Sequence, residues 1–167
     1  MKYSKIRKLD VANGPGIRVS IFVSGCRHKC RGCFNEQQQD FDYGSYWTKE
    51  VEKEVLDLIA NPIVVGLNIL GGEPLQQTMD DCLLNFLRAV NDRFPDKNIW
   101  MWTGDLYEEA INDIKKRSLI EEVDVLIDGR FEIDKRNIKL KYRGSENQRI
   151  IDVKRSFSES RLVELAI

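Results

Sequence analysis

The sequence predicts a single α/β domain built mainly on parallel strands, and three features carry that expectation. Short apolar runs rich in β-branched residues alternate with amphipathic helical repeats. Each run ends in a loop of small or polar residues, and those loops hold the chemically distinctive side chains. The chain has 167 residues, enough for one domain with a real hydrophobic core.

The first strong run is Ile17–Val23 (IRVSIFV), whose near-alternation reads as a strand. Ahead of it, Asn13-Gly-Pro-Gly16 can only be a turn or tight loop. The cysteine segment 26–33 follows, then a polar loop to about Tyr46. Thr48 precedes Glu50, Glu52 and an apolar set at Val51, Val55, Leu58 and Ile59, the pattern of a capped amphipathic helix. Residues 63–70 (IVVGLNIL), bounded by Pro62 and Gly71-Gly72, read as a buried strand. Over 80–91, Leu83, Leu84, Phe86, Leu87 and Val90 recur at helical spacing. A third strand is expected at 98–103 (NIWMWT), a helix over 106–117, and a fourth strand at 123–127 (VDVLI), ending at Asp128-Gly129. Residues 138–153 are expected to hold one or two short strands around Arg143-Gly144-Ser145. In the tail, 156–167, Leu162, Val163 and Leu165 suggest a short helix or a disordered end. The domain is therefore expected over 1–155, with 156–167 as a separate tail.

Composition narrows the function classes. Lys plus Arg number 26 against 27 Asp plus Glu, so no overall field draws in nucleic acid or an anionic membrane. No apolar run approaches the roughly 20 residues that span a bilayer. The first residues, MKYSKIRKLDVANG, lack the apolar centre of a signal peptide. A cytoplasmic protein is expected.

In open α/β sheets, ligands bind beyond the carboxyl ends of the strands. Four loops there stand out: Gly25-Cys26, Gly71-Gly72-Glu73-Pro74, Thr103-Gly104 and Asp128-Gly129-Arg130. The first begins Cys26-x-x-x-Cys30-x-x-Cys33, three thiols in one short loop. In a reducing compartment such clustering points to metal or redox chemistry rather than disulfides. Three ligands suit a cubane cluster whose fourth iron takes an outside ligand, whereas most clusters are held by four Cys. Structural zinc competes: His28, the single histidine, could complete a Cys₃His set. Four ligands within eight residues leave little room for a tetrahedral wrap, so spacing favours iron–sulfur while leaving zinc open. His28 could equally be a solvated loop residue. Cys82, inside the helical pattern, reads as a small buried hydrophobe.

Other residues admit plain structural readings. Glu73 and Asp128 could be helix caps or loop carboxylates. Gly14 and Gly16 could serve only a turn. Arg18 could pair with a carboxylate or lie on a strand face, and at least one of Trp100 and Trp102 belongs to the core.

The Cys-x₃-Cys-x₂-Cys loop after one strand, with Gly-Gly-Glu-Pro after the next, resembles the radical S-adenosylmethionine superfamily. Asn13-Gly-Pro-Gly-Ile-Arg18 resembles the N-terminal signature of its small glycyl-radical activases. Residues 100–104 (WMWTG), 125–131 (VLIDGRF) and 143–149 (RGSENQR) are similar to the activases that serve anaerobic ribonucleoside-triphosphate reductase. That resemblance implies an open, partial β/α barrel and a [4Fe–4S] cluster on Cys26, Cys30 and Cys33. It also implies that S-adenosylmethionine is cleaved at the cluster to a 5′-deoxyadenosyl radical, which makes a glycyl radical on the reductase. Gly71, Gly72 and Glu73 would form the loop that holds the methionine amino group. Backbone groups of Gly32, Cys33 and Phe34 would contact the adenine, and Asp128 or Arg130 would lie near the ribose or carboxylate. An electron donor such as flavodoxin would be a second partner. Two departures are visible. Gly32 precedes the last cysteine where much of the superfamily has an aromatic residue, with Phe34 following instead. Asp105 stands where an aromatic residue is expected after Thr-Gly. Close alternatives are a pyruvate formate-lyase activase or a deazaguanine synthase, against both of which residues 143–149 argue; a non-enzymatic zinc module is the distant one.

Overall fold

The computed structural model describes residues 1–167. Seven strands form one open sheet: β1 (Lys2–Asp10), β2 (Ile17–Val23), β3 (Ser45–Tyr46), β4 (Val64–Gly71), β5 (Asn98–Trp102), β6 (Val125–Asp128) and β7 (Arg149–Asp152). Their order is β3-β1-β2-β4-β5-β6-β7. The centre, β2-β4-β5-β6, is parallel, and β1, β3 and β7 are antiparallel to their neighbours. The helices are α1 (Lys49–Ile59), α2 (Cys82–Arg93), α3 (Tyr107–Ala110), α4 (Ile114–Glu121) and α5 (Val153–Ser158).

Period-two alternation sorts the sheet residues onto two faces of opposite character. One face carries Val19, Ile21 and Val23 of β2, Leu67 and Ile69 of β4, Ile99 and Met101 of β5, and Leu126 of β6. Every helix contributes to the same core, through residues such as Ile59, Phe86, Leu87, Ala110, Ile120 and Val153. The opposite face holds a small cluster of Trp100, Val125, Ile127 and Ile150. Beside that cluster lies a buried polar network. Arg18 Nε donates to Asn68 Oδ1 at 2.5 Å, Asn68 Nδ2 donates to Ser20 Oγ at 2.8 Å, and Ser20 Oγ donates to Asp10 Oδ2 at 2.6 Å. Helices cover one side only, so the second side is free to hold a cleft.

Several elements differ from the sequence expectation. β1 carries no clear strand pattern, because Lys2, Lys5, Arg7 and Lys8 break its apolar signal and much of the strand is exposed. The helix expected over 106–117 is two helices. Asp113 breaks it by accepting from the Lys115 and Lys116 N–H groups, which caps α4. Of the one or two short strands expected in 138–153, β7 is one, while 143–145 form loop with only Ser145 bridging Arg136. α5 spans the expected boundary at 155/156, and Val163 then returns alongside β7, its carbonyl accepting from Asp152 N at 2.9 Å. The tail therefore begins as helix, before Leu162, and ends packed on the sheet. Arg18 pairs with no carboxylate. It is fully buried, donates to the carbonyls of Leu67 and Asn98, and stacks over Trp100.

Candidate active site at the carboxyl edge of the sheet

All four parallel strands point the same way, so their following loops meet at one edge. A cleft of about 590 Å³ opens there and runs onto the helix-free face. Cys26, Cys30 and Cys33 line it together with Gly71, Gly72, Glu73, Thr103, Gly104 and Gly129. Phe22, Leu70 and Trp102 form an apolar floor, while Arg7, Arg136 and Arg143 stand along the walls.

The cysteine loop is laced to its neighbours through the backbone. Gly25 N donates to Gln38 O at 2.8 Å and Cys26 N to Gln39 O at 3.0 Å, and Glu73 N donates to Gly25 O at 2.8 Å. Gly72 N donates to Val23 O at 2.8 Å, which extends the β2–β4 pairing beyond Val23 and Gly71. Gly72 has no room for a side chain: a Cβ would sit 2.7 Å from Gly25 O and 2.8 Å from Gln38 O. The carbonyl of Gly72 takes no hydrogen bond from the protein.

All three thiols are free and partly buried. Burial pushes the Cys26 thiol up to about 11 and raises Cys30 as well, against the N–H groups of His28 and Phe131, which favour their thiolates. Metal binding must therefore displace protons from these sulfurs. No three His, Cys, Asp or Glu side chains converge closely enough to hold a single metal ion. The three thiols line one cleft, and thiolate sulfurs are the usual ligands of an iron–sulfur cubane.

Glu73 is the organising residue of the cleft wall, almost wholly covered by its neighbours. It is 1% exposed, and its carboxylate accepts from Leu75 N at 2.9 Å, Thr103 Oγ1 at 2.7 Å and Gly104 N at 2.7 Å. The fourth partner is His28 Nε2, at 2.8 Å. His28 is thus no solvated loop residue: its side chain is 7% exposed and its ring is committed to Glu73. Asp105, the departure noted after Thr-Gly, lies 3.4 Å from the same nitrogen and pairs with Lys116 at 2.6 Å.

Phe34 is 64% exposed at the rim, against Phe131 and under the Arg136 guanidinium. Gly32 has a positive φ of 72°, which turns the chain into Cys33. Asp128 and Arg130 do not line the cleft. The Asp128 carboxylate is fully buried, accepts from Tyr107 N at 2.9 Å, and is clamped by Arg149 Nε at 3.0 Å. Glu108 and Asp128 together hold Arg149 firmly protonated, Glu108 contributing more. The Arg130 side chain is exposed, while its carbonyl accepts from Asn147. Residues 143–148 staple themselves through Gln148, which accepts from Gly144 N and donates to Gly129 O, and so form one wall.

Three thiols thus share one cleft at the carboxyl edge of an open α/β sheet. The family model described as a 4Fe-4S single cluster domain matches residues 12–151. Among curated relatives, the anaerobic ribonucleoside-triphosphate reductase-activating protein of Enterobacteria phage T4 is 40% identical over 150 residues, covering 90% of this chain and 93% of the relative. The protein of the same description from Pasteurella multocida is 39% identical, over 89% and 95% of the two chains. That from Escherichia coli K12 is 32% identical, over 89% and 96%. The chain belongs to the family of anaerobic ribonucleoside-triphosphate reductase-activating proteins.

Proposed function

We propose that this chain generates the glycyl radical of an anaerobic ribonucleoside-triphosphate reductase. The observation that carries the reading is the shared cleft, in which the three thiols of one loop face the glycine loop of the next strand. When bound, the [4Fe–4S] cluster and S-adenosylmethionine supply a one-electron reductive cleavage to methionine and a 5′-deoxyadenosyl radical, which takes a hydrogen atom from the reductase glycine.

The chain's own residues bind, orient and exclude water. Cys26, Cys30 and Cys33 would hold the cluster. Gly71 and Gly72 would present backbone to the methionine end, and the Gly72 carbonyl, which takes no hydrogen bond from the protein, would be free to accept from its ammonium. Backbone groups of Gly32, Cys33 and Phe34 would contact the adenine. Glu73 serves as a support in the cleft wall, because its four acceptor sites are filled by the protein. Asp128 acts at one remove, holding Arg149 and the start of α3. Phe22, Leu70 and Trp102 keep the floor apolar. Phe34 and Ile138, both exposed at the rim, suit the docking of a protein substrate that closes the open side. A flavodoxin-type donor supplies the electron. We place this work in the cytoplasm; no helix is long and apolar enough to cross a membrane.

Anaerobic reconstitution with iron and sulfide, followed by dithionite and S-adenosylmethionine, tests this reading. The protein should form 5′-deoxyadenosine and methionine in equal amounts. A protein that loads four irons yet forms neither product contradicts it.

A further inference from the structure

His28 sits inside the cysteine loop, yet its side chain turns away from solvent toward Glu73, 45 residues distant in sequence. A carboxylate is acceptor-only with about four sites. Leu75 N, Thr103 Oγ1 and Gly104 N take three of these, so Nε2 of His28 is the donor to the fourth. This one contact joins three loops: the cysteine loop after β2, the glycine loop after β4, and the Thr103-Gly104 loop after β5.

The surroundings are shaped for the ring. A Cβ on Gly104 would stand 2.5 Å from Cδ2 and 2.8 Å from Nε2 of His28, so the glycine leaves the space the imidazole fills. Asp105 Oδ1 lies 3.4 Å from Nε2, and Asp105 is itself fixed by Lys116. The backbone ties Glu73 N to Gly25 O and Arg27 N to the Gln76 side chain hold the two loops at the start of the cysteine segment. His28 adds a side-chain tie further along, between Cys26 and Cys30.

We infer that His28 is a positioning residue, which fixes the cysteine loop against the Gly71-Gly72-Glu73 loop so that cluster and cofactor are held in one register. The inference rests on the proposed function for its mention of the cofactor, but the tie between loops stands on geometry alone. A misplacement of about 1 Å at a reacting centre can cost about 100-fold in rate. The loss of this tie is therefore expected to slow cofactor cleavage far more than it lowers iron content.

The test compares His28→Ala, His28→Gln and Gly104→Ala with the wild type. Gln can place an amide N–H where Nε2 stood, whereas Ala cannot, and Gly104→Ala expels the ring without touching His28. In the iron-free proteins, hydrogen–deuterium exchange at residues 26–33 and 72–75 should quicken together in His28→Ala and Gly104→Ala, and return toward wild type in His28→Gln. In the reconstituted proteins all variants should hold iron. The electron paramagnetic resonance change on adding S-adenosylmethionine should need about tenfold more cofactor in the two Ala variants, and Gln should recover most of that loss. An Ala variant that matches wild type in exchange and cofactor response overturns the inference, as does a Gln variant no better than Ala. If wild-type protein loads iron but ignores S-adenosylmethionine, the proposed function fails, and the exchange data still decide whether His28 ties the loops.

Discussion

Single residues divide here into those that hold a group and those that hold a loop. Cys26, Cys30 and Cys33, the proposed cluster ligands, are of the first kind, so replacing any one with Ala should prevent assembly of an intact four-iron cluster, measured as iron and sulfide per chain after anaerobic reconstitution. Cys82 packs partly buried against the helix-side core, and Cys82→Ala should keep the full iron content. Equal iron loss in the Cys82 variant would overturn the three-ligand assignment. Gly72 belongs to both kinds. From sequence alone, Gly72→Val reads as a block to the cofactor that spares the cluster. The structure makes it a wider lesion, because the new side chain would strike Gly25 O and Gln38 O, which hold the cysteine loop. We expect Gly72→Val to lose both cofactor response and at least half of its iron; full iron retention would contradict this packing. That the cysteines and Gly71-Gly72 meet in one cleft was legible in sequence, because both loops follow neighbouring strand ends. His28 was not, since its role depends on Glu73 and Gly104, which no local pattern connects to it. For Asp128 the sequence left a cap or loop carboxylate beside the cofactor role that the resemblance implies, because a carboxylate at a strand end gives no sign of the Arg149 that holds it.

Elements follow their local signals where burial supplies the pattern and depart where a single polar residue intervenes. The four central strands and α1 stand close to where the apolar periodicity puts them, with Thr48 accepting from Val51 N as its cap. The division of α3 from α4 turns on Asp113. Removing such a cap costs about 1 kcal/mol, so Asp113→Ala should lower unfolding stability by roughly that amount, read from the urea midpoint at unchanged m-value. No change would mean that packing on the core, not the cap, sets the start of α4. The missed strand β1 has a physical reason: its lysines and arginine keep a weakly covered edge soluble, which hides the alternation. β1 also brings Asp10 to the polar network on the helix-free face. Burial opposes the charged form of Asp10, but bonds from Ser20, Asn13 and the Ala12 N–H outweigh it and hold its carboxyl below the usual range. A depressed carboxyl stabilises the fold above its unfolded value, and that contribution fades as pH falls through the folded value. The stability gap between wild type and Asp10→Asn should therefore be widest near neutrality and close in acid, below about pH 4. A gap that stays constant with pH would contradict the network's charge.

The whole molecule is a one-sided layer: helices cover one face of an open sheet, and the other face carries the cleft. The sequence conveyed the layering through its alternation of strand and helix, and it conveyed the reactive edge through four loops. It could not convey which face stays bare, because β2, β4 and β5 carry buried residues on both sides. The bareness suits a protein substrate, which can supply the wall that the chain lacks. A glycine fits that role, having no side chain to obstruct approach to its α-carbon. The most direct measurement places deuterium at the α-carbon of the reductase's radical glycine, then incubates that enzyme anaerobically with this protein, a reductant and S-adenosylmethionine. Deuterium should appear in 5′-deoxyadenosine as the glycyl radical signal grows. Efficient cofactor cleavage with neither label transfer nor a glycyl radical would contradict the account.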